Sequence, residues 1–270
     1  MDGRQDGPFP FIRSIGTACL AACMLAGAKT PAHAQAGAKM IAMETMKVGS
    51  APADFDFART GQGGASQWVV VDDATAPSKR AIEQSSTDRT DNRFPLAIYQ
   101  PVTAKNVEVA IRFKPVAGKV DQAGGIAVRV TSPNDYYLVR ANALEDNVRF
   151  YRIVKGRREQ LATANVKVAS GEWHSLGLRA ENDRFTVVFN GKTLHSTSDR
   201  ALPGPGRVAL WTKSDSVTRF DQISIRILPC LRTARHDLQH EAARLRPGPH
   251  QGHVRATDRK PLREQLWWSR

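Results

Sequence analysis

Six residues of this 270-residue chain have the types and spacing to recognise a ligand from one surface: Arg129, Tyr136, Arg140, Asn142, Trp211 and Lys213. Each falls opposite an apolar series. Ile126, Val128 and Val130 alternate with Ala127, Arg129 and Thr131. Tyr137 and Val139 alternate with Tyr136, Leu138, Arg140 and Asn142, and Val208 and Leu210 with Ala209, Trp211 and Lys213. Side chains along a β-strand point to alternate faces, so an inward apolar set sends the second set outward. If these strands are neighbours in one sheet, the six share a face. The mixture suits a sugar, whose C–H face stacks on aromatic rings while Arg and Asn bond its hydroxyls. Trp211 with two arginines equally suits an acidic saccharide, through bidentate pairing with a carboxylate. The alternative is a plain solvated sheet with arginine stems lying over aromatics.

Other chemistries find less support. Asp135, Glu145, Asp146, Asp199 and Asp215 are carboxylates at loops or strand ends that nothing pairs in sequence, and turn formation accounts for them. His174 and His195 are not at metal-ligand spacing and Cys230 is isolated, so no zinc site is expected. His236 and His240 lack a third ligand. Gly61-Gln62-Gly63-Gly64 is a flexible loop with no following helix to hold a phosphate. The net charge of +13 raises nucleic acid as a partner. However, the basic residues are scattered along strands, Lys155-Gly156-Arg157-Arg158 sits in a hairpin turn, and no base-reading motif occurs. No nucleic-acid partner is expected. Acidic polysaccharide or an anionic cell surface suits the charge better.

The elements that must position these residues are strands. Val107, Val109, Ile111 and Phe113 alternate with polar or small residues, as do Phe185, Val187 and Phe189 before Asn190-Gly191. An Asn-Gly pair suits the two positive-φ positions of a type I′ turn, which predicts a hairpin over 185–196. Val148 to Val154, Lys155-Gly156 and Arg157 to Ala162 read as another. Further strands are expected at 68–71, 80–84, 94–100, 208–212 and 222–228. Ten or more short strands with tight links, and no helices between them, exclude a parallel α/β fold and predict an antiparallel all-β sandwich or barrel. With 41% hydrophobic and 24% charged residues the chain can bury a core, and no stretch reaches the ~18 apolar residues of a spanning helix.

Several segments then occur together in an ordered series. They are Gly124-Gly125-Ile126-Ala127-Val128-Arg129, Asn134 to Asn142, Glu172-Trp173-His174-Ser175-Leu176, Phe189-Asn190-Gly191, Gly206 to Thr212, and Phe220-Asp221-Gln222-Ile223. Their order resembles laminin-G-like jelly rolls of the concanavalin A-like superfamily, and most of all the 3-keto-disaccharide hydrolase-type domain, over nearly all of residues 53–228. The resemblance implies a two-sheet antiparallel jelly-roll sandwich whose concave face often holds a glycan. It also implies a structural calcium as an option, for which Asp54, Asp56 and Asp221 are oxygen donors near the ends of the sandwich; a hard cation needs ~6–8 oxygens. No other cofactor is expected. Glucanases of that superfamily carry a Glu-x-Asp-x-x-Glu-like strand, which this chain lacks: Glu181-Asn182-Asp183 begins like it but continues Arg184-Phe185 at a turn. A paired-carboxylate glycosidase mechanism is therefore not expected.

The chain reads as a leader (1–34), a linker (35–52), the sandwich (53–228) and a basic tail (229–270). Arg4 and Arg13, the apolar Ile15 to Ala28 and Ala32-His33-Ala34 have the order of a cleavable signal peptide, so an exported protein, periplasmic or secreted, is expected. Leu20-Ala21-Ala22-Cys23 offers lipidation at Cys23 as the lesser alternative. The leader carries +1 and the tail +5, which leaves +7 on the rest. The function expected is an exported carbohydrate-binding module. The rivals are a hydrolase or lyase acting on a (3-keto-)disaccharide and a structural sandwich with no small ligand.

Overall fold

The computed structural model describes residues 37–229. The expected leader, and the tail beyond Pro229, lie outside the described residues. Fifteen strands, numbered along the chain, form two antiparallel sheets, and among the described residues only the 3-10 turn Met43–Thr45 is helical. One sheet runs β13 (Lys192–Ser198), β12 (Arg184–Phe189), β11 (His174–Glu181), β6 (Val107–Ala117), β15 (Val217–Ile227), β4 (Arg80–Gln84) and β3 (Trp68–Asp72), with β1 (Lys39–Met40) also on β15. The other runs β10 (Arg157–Asn165), β9 (Asn147–Val154), β8 (Asp135–Asn142), β7 (Ala123–Ser132), β14 (Gly206–Thr212), β5 (Arg93–Ala104) and β2 (Phe55–Gly61). This is the antiparallel sandwich that the alternating runs predict, in the jelly-roll form that the family resemblance implies.

The inward faces alternate as the sequence implies. Val109, Ile111 and Phe113 of β6, Leu176 and Leu178 of β11 and Phe185 and Val187 of β12 meet Ile126, Tyr137, Val139, Phe150 and Leu210 of the opposing sheet. The rings of Tyr137 and Phe185 lie 4.3 Å apart across the gap. The hairpins close as predicted: Asn190 (φ 45°) and Gly191 (φ 78°) join β12 to β13, and Lys155 (φ 51°) and Gly156 (φ 75°) join β9 to β10.

Two expectations need correction. Part of the 35–52 segment, read as a linker, belongs to the sandwich: Lys39 and Met40 pair with Ile225 and Ser224, and Ile41 and Met43 are buried in the core. Its apolar residues are too few and too irregular to show a period. The second correction concerns Arg129. The β7–β8 register shifts after Val128, and Arg129 takes a left-handed φ of 52°. A bulge adds one residue to a strand and reverses the alternation beyond it. Val128 faces the inter-sheet core, Arg129 stays on that side, and Val130 turns to the outer face. The bulge brings β7 so close to β14 that a Cβ on Gly206 would sit 2.4 Å from the Arg129 carbonyl carbon. Only glycine fits there.

Candidate functional site

The outer face of the seven-stranded sheet, turned away from the inter-sheet core, carries the candidate site. A single cross-strand row defines it. Leu96 pairs with Trp211, Trp211 with Gly125, Gly125 with Arg140, and Arg140 with Arg149. Gly125 matters because a Cβ there would lie 2.5 Å from the Val139 carbonyl oxygen and 3.1 Å from the Arg140 Cβ. Its hydrogen leaves space for the large side chains on either side.

The sheet curls strongly around this face. β8 and β2 are four positions apart in the sheet order, which at ~4.8 Å per step would separate them by ~19 Å if the sheet were flat. The Tyr136 and Thr60 hydroxyls nevertheless hydrogen bond at 2.8 Å. Arg158, on β10, reaches the Phe94 ring of β5, with its guanidinium carbon 5.0 Å from the ring centre and the same distance from that of Tyr151. The face is therefore concave, and its aromatic floor packs on itself. Phe94, Leu96, Tyr136, Leu138, Tyr151, Ile153 and Trp211 form a second apolar cluster. Trp211 is 0% exposed and stacked on Phe94 at 5.6 Å. Its indole nitrogen is buried beside the Tyr136 hydroxyl without a bond of full hydrogen-bond geometry. Burial pushes the Tyr136 hydroxyl up to about 12, against the opposing effects of Thr60 and the Trp211 indole beside it.

At one end of this floor the side chains become polar and reach solvent. Arg140, buried, donates to Asn147 Oδ1 at 2.5 Å, to Glu145 Oε2 at 2.8 Å and to the Tyr151 hydroxyl at 3.3 Å. Glu145 also takes Arg149 Nη1 at 3.3 Å and Asn147 Nδ2 at 3.1 Å. Beside this, Asn142 Nδ2 donates to Asp121 Oδ1 at 2.7 Å, and Lys213 Nζ bridges Asp121 Oδ2 at 2.8 Å and Asp91 Oδ1 at 2.9 Å. Glu145 and Arg149 are about one-third exposed and Asp91 stands out in solvent, whereas Asp121 is enclosed. Burial pushes the Asp121 carboxyl above the usual carboxylate range in spite of Lys213. Burial acts the same way on Glu145, but hydrogen bonds from Arg140 and Asn147 outweigh it and hold that group below its ordinary value. Lys213 is lowered by burial and raised more by Asp121 and Asp91, so its ammonium is reinforced.

Five of the six residues singled out from sequence are thus on or beside one face: Tyr136, Arg140, Asn142, Trp211 and Lys213. Four of the five are buried, since the curl of the sheet covers what alternation alone marks as outward. Arg129 is separated from them. Its guanidinium donates to the carbonyls of Lys105 and Leu202 at 3.0 Å each, and to that of Asn182, and lies over the inward rings of Phe185 and Tyr137. Asp121, Glu145, Asn147, Arg149 and Tyr151 join the site without having been singled out for it. Arg149 and Tyr151 were accessible to the same logic, because they alternate with inward Val148 and Phe150 on β9. Nothing in the spacing of Asp121 and Glu145 announces their approach.

Most of the remaining carboxylates serve turns. Asp215 accepts three consecutive backbone N–H groups from Lys119, Val120 and Asp121, and Asp135 accepts that of Lys155. The three calcium candidates do not converge. Asp54 and Asp56 lie at β2 of one sheet, while buried Asp221, on β15 of the other, accepts Ser78 Oγ at 2.7 Å and the Gln222 N–H. Among the described residues no three His, Cys, Asp or Glu side chains are grouped to hold a metal ion.

Several solved structures are similar to this chain. The carbohydrate-binding module CBM66 from Bacillus subtilis superposes with a TM-score of 0.50 at 16% identity, covering 63% of this chain and 94% of that one. A Bacillus subtilis protein of unknown function with a galectin-like fold gives 0.45 at 8% identity, over 63% and 89%. Domain 4 of AbnA, a GH43 extracellular arabinanase from Geobacillus stearothermophilus in complex with arabinotriose, gives 0.47 at 14%, over 71% and 93%. At these identities the first likeness shows the fold alone. No curated protein sequence matches the chain. The sequence profile of the 3-keto-alpha-glucoside-1,2-lyase-like domain matches residues 54–226, from the start of β2 to the end of β15, and the chain belongs to that family.

Proposed function

We propose that the domain binds carbohydrate, at the polar end of its concave face. One observation carries this reading: Arg140, Asn142, Glu145, Asn147, Arg149 and Lys213 gather donors and acceptors into two adjoining groups, joined where the Glu145 N–H donates to Asn142 Oδ1 at 3.3 Å, whose outer members reach solvent. Sugar hydroxyls both donate and accept, and charged partners make the stronger hydrogen bonds. The cluster is already cross-linked, so its side chains are held in place before a ligand arrives and little rotamer entropy remains to be lost. The likeness in fold to CBM66, a carbohydrate-binding module, supports the same ligand class. The test is a glycan array probed with wild-type protein and with Arg149→Ala, whose side chain is partly exposed. Binding to a defined saccharide that the variant loses supports the proposal. A folded chain that binds no saccharide overturns it.

A second reading, catalysis, is favoured by one feature. Asp121 and Glu145 lie near Arg140, and their surroundings push their proton affinities in opposite directions, an arrangement that separates an acid from a base. Against it, both oxygens of Asp121 are engaged, by Asn142 and Lys213, and Glu145 already holds three partners. Incubation with a 3-keto-α-glucoside separates the readings: turnover abolished by Asp121→Asn supports the enzyme, and binding without turnover supports the module.

The leader residues Arg4, Arg13 and Ala32-His33-Ala34 support export to the periplasm or beyond, and the basic charge supports residence on an acidic cell surface.

A further inference from the structure

The β9–β10 hairpin and Ala201 line an open groove of about 630 Å³, separate from the polar rim, whose other lining residues are Arg152, Val154, Lys155, Arg157, Arg158 and Glu159. Its charge is one-sided. Arg152 is committed, with Nη1 on Asp199 at 2.5 Å and Nη2 on Glu159 at 2.6 Å. Lys155, Arg157 and Arg158 form no side-chain ion pair among the described residues. The nearest approach is that of Lys155, whose backbone N–H bonds the Asp135 carboxylate at 2.9 Å. All three are exposed.

Two features make this more than a solvated turn. Arg158 pairs with Ile153 and its guanidinium is held over Phe94 and Tyr151 on the concave side, at 5.0 Å from each ring centre, whereas Arg157 pairs with Val154 and faces the groove, so the strand carries an exposed arginine on each of its faces. β10 is also the last strand of its sheet, and residues 157–160 are all exposed, so a long chain molecule has an open path along it. The same β9 strand that presents Arg149 to the rim presents Arg152 and Val154 to the groove. A planar arginine fork matches a carboxylate or sulfate bidentately, while lysine acts as a point charge.

We infer that the exposed edge strand β10 binds the anionic groups of an acidic polysaccharide, with Arg157 as the anion-recognising fork in the groove, Arg158 as its counterpart on the concave side of the same strand, and Lys155 at the turn as a supporting charge. The inference rests on the sugar-binding reading above and names the ligand class. Nucleic acid fits less well, because the two rings under Arg158 are covered by it and at most 8% exposed, which leaves no open platform for a base.

The experiment uses the full chain and titrates polygalacturonate, dextran sulfate, unmodified dextran and duplex DNA into wild type, Arg157→Gln/Arg158→Gln, and Lys192→Gln as a control in the β12–β13 turn. Cooperative melting confirms that each variant is folded. The expected result is binding of polygalacturonate or dextran sulfate, whichever supplies the preferred anion. The double variant weakens it about tenfold or more, in line with the loss of charge-assisted bonds, and Lys192→Gln leaves it unchanged. Equal affinity of the double variant and wild type overturns the groove, as does DNA bound as tightly as the best polysaccharide. If a neutral glycan binds and is lost with Arg149→Ala while no acidic polymer binds, the groove inference fails and the rim proposal stands. A folded chain that binds no saccharide overturns both.

Discussion

Replacing Trp211 by alanine tests whether the concave face is packed or open. Trp211 is fully buried and stacked on Phe94. A tryptophan side chain buries ~150–250 Å², worth ~4–6 kcal/mol at ~25 cal/mol per Å². Compactness of the unfolded chain removes ~10–40% of that, leaving ~3–5 kcal/mol, which is the usual range for a core Trp→Ala change. The poorly aligned indole N–H disappears in the variant and returns at most ~1 kcal/mol, so the net loss is ~2–4 kcal/mol. At ~2–4 °C per kcal/mol for a domain of this size, the melting temperature should fall by roughly 5–15 °C. Trp211→Phe keeps a ring against Phe94, so it should cost less. Differential scanning calorimetry and urea denaturation read both. A Trp211→Ala variant that melts within ~2 °C of wild type would show that the ring contributes little packing and that the face is open.

Three further perturbations probe the scaffold. Asp73 is buried between Lys114 and Arg219. Burial alone would raise its carboxyl, but the bonds from Lys114, Thr75 and Arg219 win and depress it. Its contribution is therefore complete above the unfolded value near ~3.8 and is lost as pH falls through the depressed one. Asp73→Asn should cost ~3–5 kcal/mol at pH 7, the difference from wild type shrinking in acid, as read by urea midpoints across pH. His195 has both ring nitrogens buried without a partner among the described residues, and burial lowers its proton affinity. The unfolded chain then takes up a proton that the folded one refuses, so stability drops as pH falls through ~6.5, and His195→Phe should flatten that slope. Arg129→Met leaves the Lys105, Leu202 and Asn182 carbonyls without their donor, at ~1–3 kcal/mol for each one that finds no substitute. Glycan affinity per folded molecule should not change, because Arg129 lies on the inter-sheet side.

Alternation made the sheets legible because most strands have one face in the inter-sheet core, and a period of two survives wherever the ladder is regular. β8 and β14 show this: Tyr136, Leu138, Arg140 and Trp211 all lie on the face their spacing implies. The rule fails at Arg129, where a single left-handed residue reverses the remainder of β7, and no glycine marks the bulge. It is silent on exposure. Pointing away from one core says nothing about a second core, and that second core forms only because β10 and β5 approach across the curl. The pairing of Asp121 with Asn142 and Lys213 depends on loop geometry between distant segments, for which periodicity has no equivalent.

For the proposed carbohydrate-binding function, the curl also decides how a sugar would be held. An open aromatic platform recognises the C–H face of a ring by stacking, which depends little on salt. Here Phe94, Tyr136, Tyr151 and Trp211 spend their faces on one another and on Arg158. What remains at the surface is the edges of arginines, the Lys155 ammonium, and carboxylates already tied to cations. Affinity must then come mainly from charge-assisted hydrogen bonds made at an exposed rim. Such bonds are screened within ~8–10 Å at ~0.1–0.15 M salt, so binding should weaken progressively as ionic strength rises. Burying little apolar surface, it should also show only a small heat-capacity change on binding. Salt-insensitive binding with a large negative heat-capacity change would require the aromatic cluster to open, and would place the ligand on Trp211 after all.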